Sequence, residues 1–71
     1  MIKVQAIENT DVNTNSYLVS LLADTREEVD NGGPIVGLPA NATLEFGSRV
    51  TTTDFQIAML RSDGTWNWGD E

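Results

Sequence analysis

The chain has 71 residues, with eleven acidic residues against four basic ones and a net charge of −7. It contains no cysteine and no histidine, which excludes disulfides, cysteine nucleophiles, histidine-dependent triads and the usual zinc sites. So acidic a chain cannot present the basic patch that binds phosphates, and we therefore expect binding neither to nucleic acid nor to a membrane.

The length predicts one small domain, residues 1–71, because there is no room for a second core. Domains of this size are usually stabilised by disulfides, by a metal or by oligomerisation, and the composition favours the third. No signal peptide is visible in the first residues, and the longest apolar-rich run, residues 16–23, is too short to cross a bilayer. We expect synthesis in the cytosol.

The first third of the chain predicts two strands and a loop. Residues 1–8 place Ile2 and Val4 in alternation with polar residues, which is typical of a strand. Residues 9–16 are rich in Asn, Thr and Asp, which favour turns, and they predict a loop. Residues 17–23 have apolar side chains on both faces and predict a buried strand.

A short helix is expected over residues 24–30. Asp24 or Thr25 can cap its first turn, and Glu27 or Glu28 is placed to close a capping box. The Asn-Gly-Gly-Pro sequence that follows ends the helix after two turns at most.

The second half of the chain predicts an edge segment and two strands. Residues 34–40 contain Gly and Pro and are expected to wrap an edge. Residues 43–53 predict a strand in which Gly47 permits a bulge or bend. Residues 55–60 alternate in the way that a strand requires.

The last element is a hairpin. Asp63-Gly64 tolerates the positive φ angles of a tight turn, and Trp66 and Trp68 then lie on one face of the returning strand. Together the elements predict a mainly β fold, with four or five short antiparallel strands, one short helical turn and a C-terminal β-hairpin.

No catalytic, metal or cofactor site is expected. The neighbouring acids at residues 27–28 and 70–71 diverge on a helix or a strand, so neither pair converges on a substrate. The acidic residues of the helical turn lack the spacing of a calcium loop.

The two tryptophans leave three interpretations open. They form part of the core, packed against Phe46, Phe55 and Met59; or they lie at a subunit interface, where tryptophan is enriched; or they stack on a glycan.

Several short segments resemble small structural proteins of tailed bacteriophages. The run ADTREEV at residues 23–29 is followed by Gly-Ser-Arg-Val at 47–50, by the apolar strand at 55–60, and by Asp-Gly-Thr-Trp at 63–66. This order is similar to that of head-fibre, capsid-decoration and tail-fibre modules. The resemblance covers about the last two thirds of the chain.

The resemblance implies a virion component that is made in the host cytoplasm and has no catalytic residues. Such modules are usually homotrimeric or attached to a lattice. Because the chain has no extended shaft, a capsid decoration protein is favoured, bound as a trimer to the major capsid protein. The rival hypotheses are a glycan-binding host-attachment module and a small helper protein that is absent from the virion.

The expected contacts with other subunits follow from these hypotheses. Ile2 and Val4 are expected to form an exposed edge that augments a neighbouring sheet. Arg49 is expected to pair with a complementary patch. Tyr17, Trp66 and Trp68 are the stacking groups if the ligand is a glycan. The expected interface residues are thus Ile2, Val4, Tyr17, Arg49, Trp66 and Trp68.

Overall fold

The computed structural model describes residues 1–69, which form seven strands and one helix. The strands are β1 (Ile2–Asp11), β2 (Ser16–Ala23), β3 (Ile35–Val36), β4 (Thr43–Leu44), β5 (Arg49–Thr52), β6 (Ile57–Leu60) and β7 (Trp66–Asn67), and the helix is α1 (Arg26–Asp30). The mainly β fold is confirmed.

The strands form one mixed sheet in the order β3-β1-β2-β5-β6-β7, and β4 also pairs with β2. The β1–β2, β5–β6 and β6–β7 pairs are antiparallel, whereas β1–β3, β2–β4 and β2–β5 are parallel. The sheet therefore differs from the expected four or five antiparallel strands. The difference arises because α1 and the loops after it return the chain to the start of β1 and β2, so that the following strands run in the same direction.

The first two strands form a long hairpin. Residues 9–11, expected in a loop, continue β1, because they pair with residues 16–18 of β2. Cross-strand pairing here overrides the turn preference of Asn, Thr and Asp. The turn itself comprises residues 12–15, with Val12 exposed.

The helix begins as the sequence predicts. Thr25 is the N-cap residue, and its Oγ1 accepts a hydrogen bond from the backbone N–H of Glu28 at 3.3 Å. The Glu28 side chain in turn accepts from the N–H groups of Thr25 and Asp24, at 3.4 and 2.7 Å. This capping box orients α1 so that Val29 is buried.

One face of the sheet is covered by α1 and the connecting segments. Facing pairs of side chains from β2, β5 and β6 form the centre of this covered face, including Leu21 beside Val50 and Val50 beside Ala58. The core cluster consists of Ile2, Val19, Leu21, Ala23, Val29, Val50, Ala58 and Trp68.

Beside β2, the segment from β4 to β5 is broken at residues 45–48. Gly47 lies at the break with a φ of +92°, which fits the predicted bend. Ser48 is fully buried, and its Oγ accepts a hydrogen bond from Val19 N–H at 3.2 Å and donates to the carbonyl of Tyr17 at 3.4 Å. The Ser48 side chain thus provides an acceptor for the Val19 N–H where the neighbouring strand is interrupted, whereas the Tyr17 carbonyl also accepts from Glu45 N–H at 2.9 Å.

Candidate interaction surface

The edge of β1 differs from the expectation at Ile2 and Val4. Ile2 is only 3% exposed and pairs with Ile35 of β3, so it is part of the core. Val4 is half-buried, and the backbone at Gly37 lies so close that a Cβ there would be 3.2 Å from Val4 Cβ. The prediction that these two residues form an exposed edge is wrong, because β3 and the residues after it cover that edge.

The two tryptophans lie on the covered face of the sheet. Trp68 is 7% exposed, and Trp66 is half-buried against the same core cluster. Trp68 Nε1 donates a hydrogen bond to Asp30 Oδ1 at 2.8 Å, and the Arg26 guanidinium carbon lies 5.0 Å from the ring centroid. The last strand is thereby fixed to both ends of α1.

Tyr17 is also half-buried and packs against the core. Trp68 is thus buried, whereas Tyr17 and Trp66 remain partly accessible. The prediction that the tryptophans pack in the core against Phe46, Phe55 and Met59 is wrong, because all three of these side chains are exposed.

The other face of the sheet is uncovered. We call it the open face; its side chains are Ser20, Leu22, Arg49, Thr51, Ile57, Met59 and Asn67, as the strand register requires. Each of these residues is exposed or half-buried. Within residues 1–69, no segment packs over this face.

Arg49 lies on the open face, as expected for an interface residue, and is exposed. Its Nη2 donates to Glu8 Oε1 at 2.9 Å, and Ser20 Oγ donates to the same oxygen at 3.0 Å. These bonds, that of Arg49 first, hold the pKa of Glu8 below its usual value. The exposed pair crosses β2 and links the outer strand β1 to β5.

Sequence reasoning missed the apolar part of the open face. Ile57 and Met59 are 59% and 51% exposed, whereas the smaller Ala58 and the neighbouring Leu60 are buried. The orientation is fixed by the register: Ala58 lies opposite Val50, the most buried residue of β5. The alternation of side chains in residues 55–60 predicted a strand, but it did not show which face of that strand packs against the core.

The hairpins at the two ends of β6 have the same backbone geometry. In the β6–β7 hairpin, Gly64 N–H donates to the carbonyl of Arg61 at 3.1 Å, and Gly64 has a φ of +89°. In the β5–β6 hairpin, Phe55 N–H donates to the carbonyl of Thr52 at 3.0 Å, and Phe55 has a φ of +68°. Phenylalanine therefore occupies the left-handed position that glycine fills in the sister turn.

This conformation costs a residue with a side chain about 1–2 kcal/mol. Little packing within the chain offsets it, since Phe55 is 86% exposed. Phe55 thus projects from the tip of the β5–β6 hairpin as an exposed aromatic group on a strained backbone, a combination that is uncommon away from functional sites.

An apolar groove lies near the opposite end of β6. It has a volume of about 330 Å³ and opens between the segment after α1, strand β4 and the β6–β7 hairpin. Its apolar lining comprises Ile2, Leu21, Val29, Ile35, Leu44, Leu60 and Trp66.

Residues 1–69 contain no group of three side chains able to hold a metal ion. No helix within the described residues is long and apolar enough to cross a membrane. Asp70 and Glu71, considered above as an acidic pair, lie outside the described residues.

Comparisons of the chain with models of protein families, with curated proteins and with solved structures found no match.

Proposed function

We propose that this chain is a structural component of a bacteriophage virion, a capsid decoration protein of the cement or head-fibre type. The observation that supports it best is the open face of the sheet, where Ile57 and Met59 point outward. Large apolar side chains in an uncovered sheet face are a common feature of protein–protein interfaces. The resemblance of residues 23–68 to small phage structural modules supports the choice of the virion.

The open face is suited to bind another protein surface. Ile57 and Met59 supply apolar area, and Met adapts to irregular neighbours. The Glu8–Arg49 pair borders this apolar area and provides polar groups at its rim. Because the whole chain carries a net charge of −7, its partner surface is expected to be basic, which favours encounter and sets orientation.

Binding to an assembled capsid would stabilise it by mass action. A protein that binds the lattice but not its free subunits lowers the free energy of the assembled state by an amount that grows with its concentration. In this role the chain acts as an oligomer, a trimer in the form implied by the resemblance, with the major capsid protein as its partner.

The proposal is tested on virions and with exposed variants. Mass spectrometry of particles purified from infected cells that make the protein should detect the chain. Met59→Asp should fold normally, since the side chain is exposed, and should lose binding to particles that lack the protein. Val12→Asp is the control, since Val12 is also an exposed apolar residue but lies at the far tip of the β1–β2 hairpin.

Absence of the chain from purified particles would overturn the proposal in favour of a non-virion helper protein. A glycan array gives the second contrast: glycan binding that is lost in Trp66→Ala but unchanged in Met59→Asp would favour a host-attachment module.

A further inference from the structure

The folding of one copy of the chain does not explain why phenylalanine occupies position 55. Its sister position in the β6–β7 hairpin is Gly64, which adopts the same left-handed conformation without a side-chain clash. Replacing glycine by phenylalanine in such a turn is unfavourable, and the ring gains almost no burial in return. A contact outside the chain would account for the side chain.

The apolar groove has the size and lining to receive an aromatic ring. Its volume is about 330 Å³, and an engineered protein cavity of about 150 Å³ lined by aliphatic and aromatic side chains accommodates benzene. Leu44, Leu60 and Trp66 line it with apolar atoms.

One residue next to each of the two features, Asp54 at the hairpin tip and Arg61 near the groove, carries a charge opposite to that of the other. Asp54 directly precedes Phe55 at the hairpin tip and is exposed. Arg61 lines the surface that adjoins the groove and that shares Val29 and Trp66 with it. Arg61 also donates a hydrogen bond to Thr65 Oγ1 at 3.2 Å, and Asp30 lines the same surface.

The position of the two features decides the kind of contact. Phe55 precedes β6 and the groove lies where β6 ends, about 14 Å away along a strand of four residues. One copy cannot fill its own groove with a hairpin tip at the other end of the strand. Two copies placed head to tail bring the tip of one to the groove of the next.

We infer that Phe55 of one copy inserts into the apolar groove of a second copy, with Asp54 facing the Arg61 of that copy. The contact is heterologous, because two different surfaces meet, and it leaves one tip and one groove free in every dimer. Repetition closes a ring if the rotation permits, and a three-membered ring is the form that a trimer requires. This contact deepens the proposed function and rests on its assumption that copies of the chain associate.

The experiment uses the purified chain without any capsid. Sedimentation velocity should show an oligomer for the natural chain and a monomer for Phe55→Gly. Thr43→Trp should also be a monomer, since Thr43 is an exposed residue of the groove wall and an indole there fills the groove. Thr43→Val is its matched control, because valine keeps the groove open and should leave the oligomer intact.

Mixing provides the decisive measurement. Phe55→Gly retains the groove and Thr43→Trp retains the tip, so an equimolar mixture of the two monomers should form a one-to-one dimer and nothing larger. Neither variant should form that dimer alone. An isologous contact through the open face predicts no such complementation.

Thermal unfolding shows that the loss of association is not a loss of folding. At a concentration low enough for both chains to be monomeric, Phe55→Gly should keep the melting temperature of the natural chain or raise it, by up to about 4–8 °C, since it removes the strain without a change in association. Phe55→Asn, which also tolerates the left-handed region, should behave similarly.

Three outcomes would overturn the inference: a natural chain that is monomeric at high concentration, an oligomer that persists in Phe55→Gly, or a melting temperature of that variant several degrees below that of the natural chain when both are monomeric. Failure of the proposed function is recognised separately: it is shown if Met59→Asp still binds to particles that lack the protein.

Discussion

Trp68 and Asp30 join the last strand of the sheet to the end of its helix, through a hydrogen bond of 2.8 Å from Nε1 to Oδ1. The indole lies in the core cluster while its polar edge reaches the helix end, which is partly exposed. The bond therefore aligns two elements that are separated by 38 positions in the chain.

Trp68→Ala should destabilise the domain by about 3–5 kcal/mol, because it removes a large buried ring and leaves a cavity. Trp68→Phe should cost less, since an aromatic ring remains and the exposed Asp30 is solvated when it loses its donor. Urea unfolding followed by far-UV circular dichroism measures both. Equal losses in the two variants would contradict a packing role for the ring.

Ser48→Ala should destabilise the domain by about 1–3 kcal/mol, since it leaves the buried Val19 N–H without the Ser48 hydroxyl. The Tyr17 carbonyl still accepts from Glu45 N–H at 2.9 Å. Hydrogen exchange of the Val19 amide should accelerate relative to its neighbours in β2. Ser62→Ala, in an exposed turn, serves as the control and should change stability by less than about 0.5 kcal/mol. An unchanged Val19 exchange rate would show that another group replaces the hydroxyl.

Thr25→Ala should cost about 1 kcal/mol, because it removes the side-chain half of the capping box of α1. Thr25→Ser retains the hydroxyl and should be nearly neutral. Chemical denaturation gives the free energies of unfolding, and the Glu28 amide shift reports the lost hydrogen bond. A similar loss in both variants would point to the methyl group rather than to the cap.

The pKa of Glu8 should be below the usual value for glutamate, because Arg49 donates a hydrogen bond to it, and should rise towards that value in Arg49→Met. The folded-state pKa is lowered, so the pair stabilises the fold above the unfolded-state pKa, and this contribution is lost as the pH falls through the folded-state pKa. The stability of the two proteins should therefore converge in acid. Carboxyl carbon NMR titration measures the pKa, and a Glu8 titration that is identical in both proteins would show that the ion pair does not persist in solution.

Local signals in the sequence predicted the parts of the fold that short-range chemistry controls. The capping box at Thr25 and Glu28, the bend at Gly47 and the turn at Gly64 each depend on a few neighbouring residues. The burial of Trp68 in the core was one of the three interpretations that the sequence left open for the tryptophans.

The rest depends on contacts between distant segments. The parallel pairing of β5 with β2 requires the path of the intervening 25 residues, residues 24–48, and no local pattern specifies it. The outward direction of Ile57 and Met59 follows from a register that places Ala58 against Val50. Of the residues proposed to contact other copies, Phe55 was expected in the core, because an exposed phenylalanine in a left-handed turn is contrary to every local preference.

The register shifts in β1 affect the tendency of the protein to aggregate rather than its binding. Beyond Lys3, no strand among residues 1–69 pairs with the outer side of β1, and a long straight edge of this kind is a template for uncontrolled aggregation. The two irregularities, between Val4 and Ala6 and between Ile7 and Asn9, interrupt the repeat that an incoming strand must match. The two irregularities thus oppose the pairing of the longest strand of the sheet with a strand of a second copy.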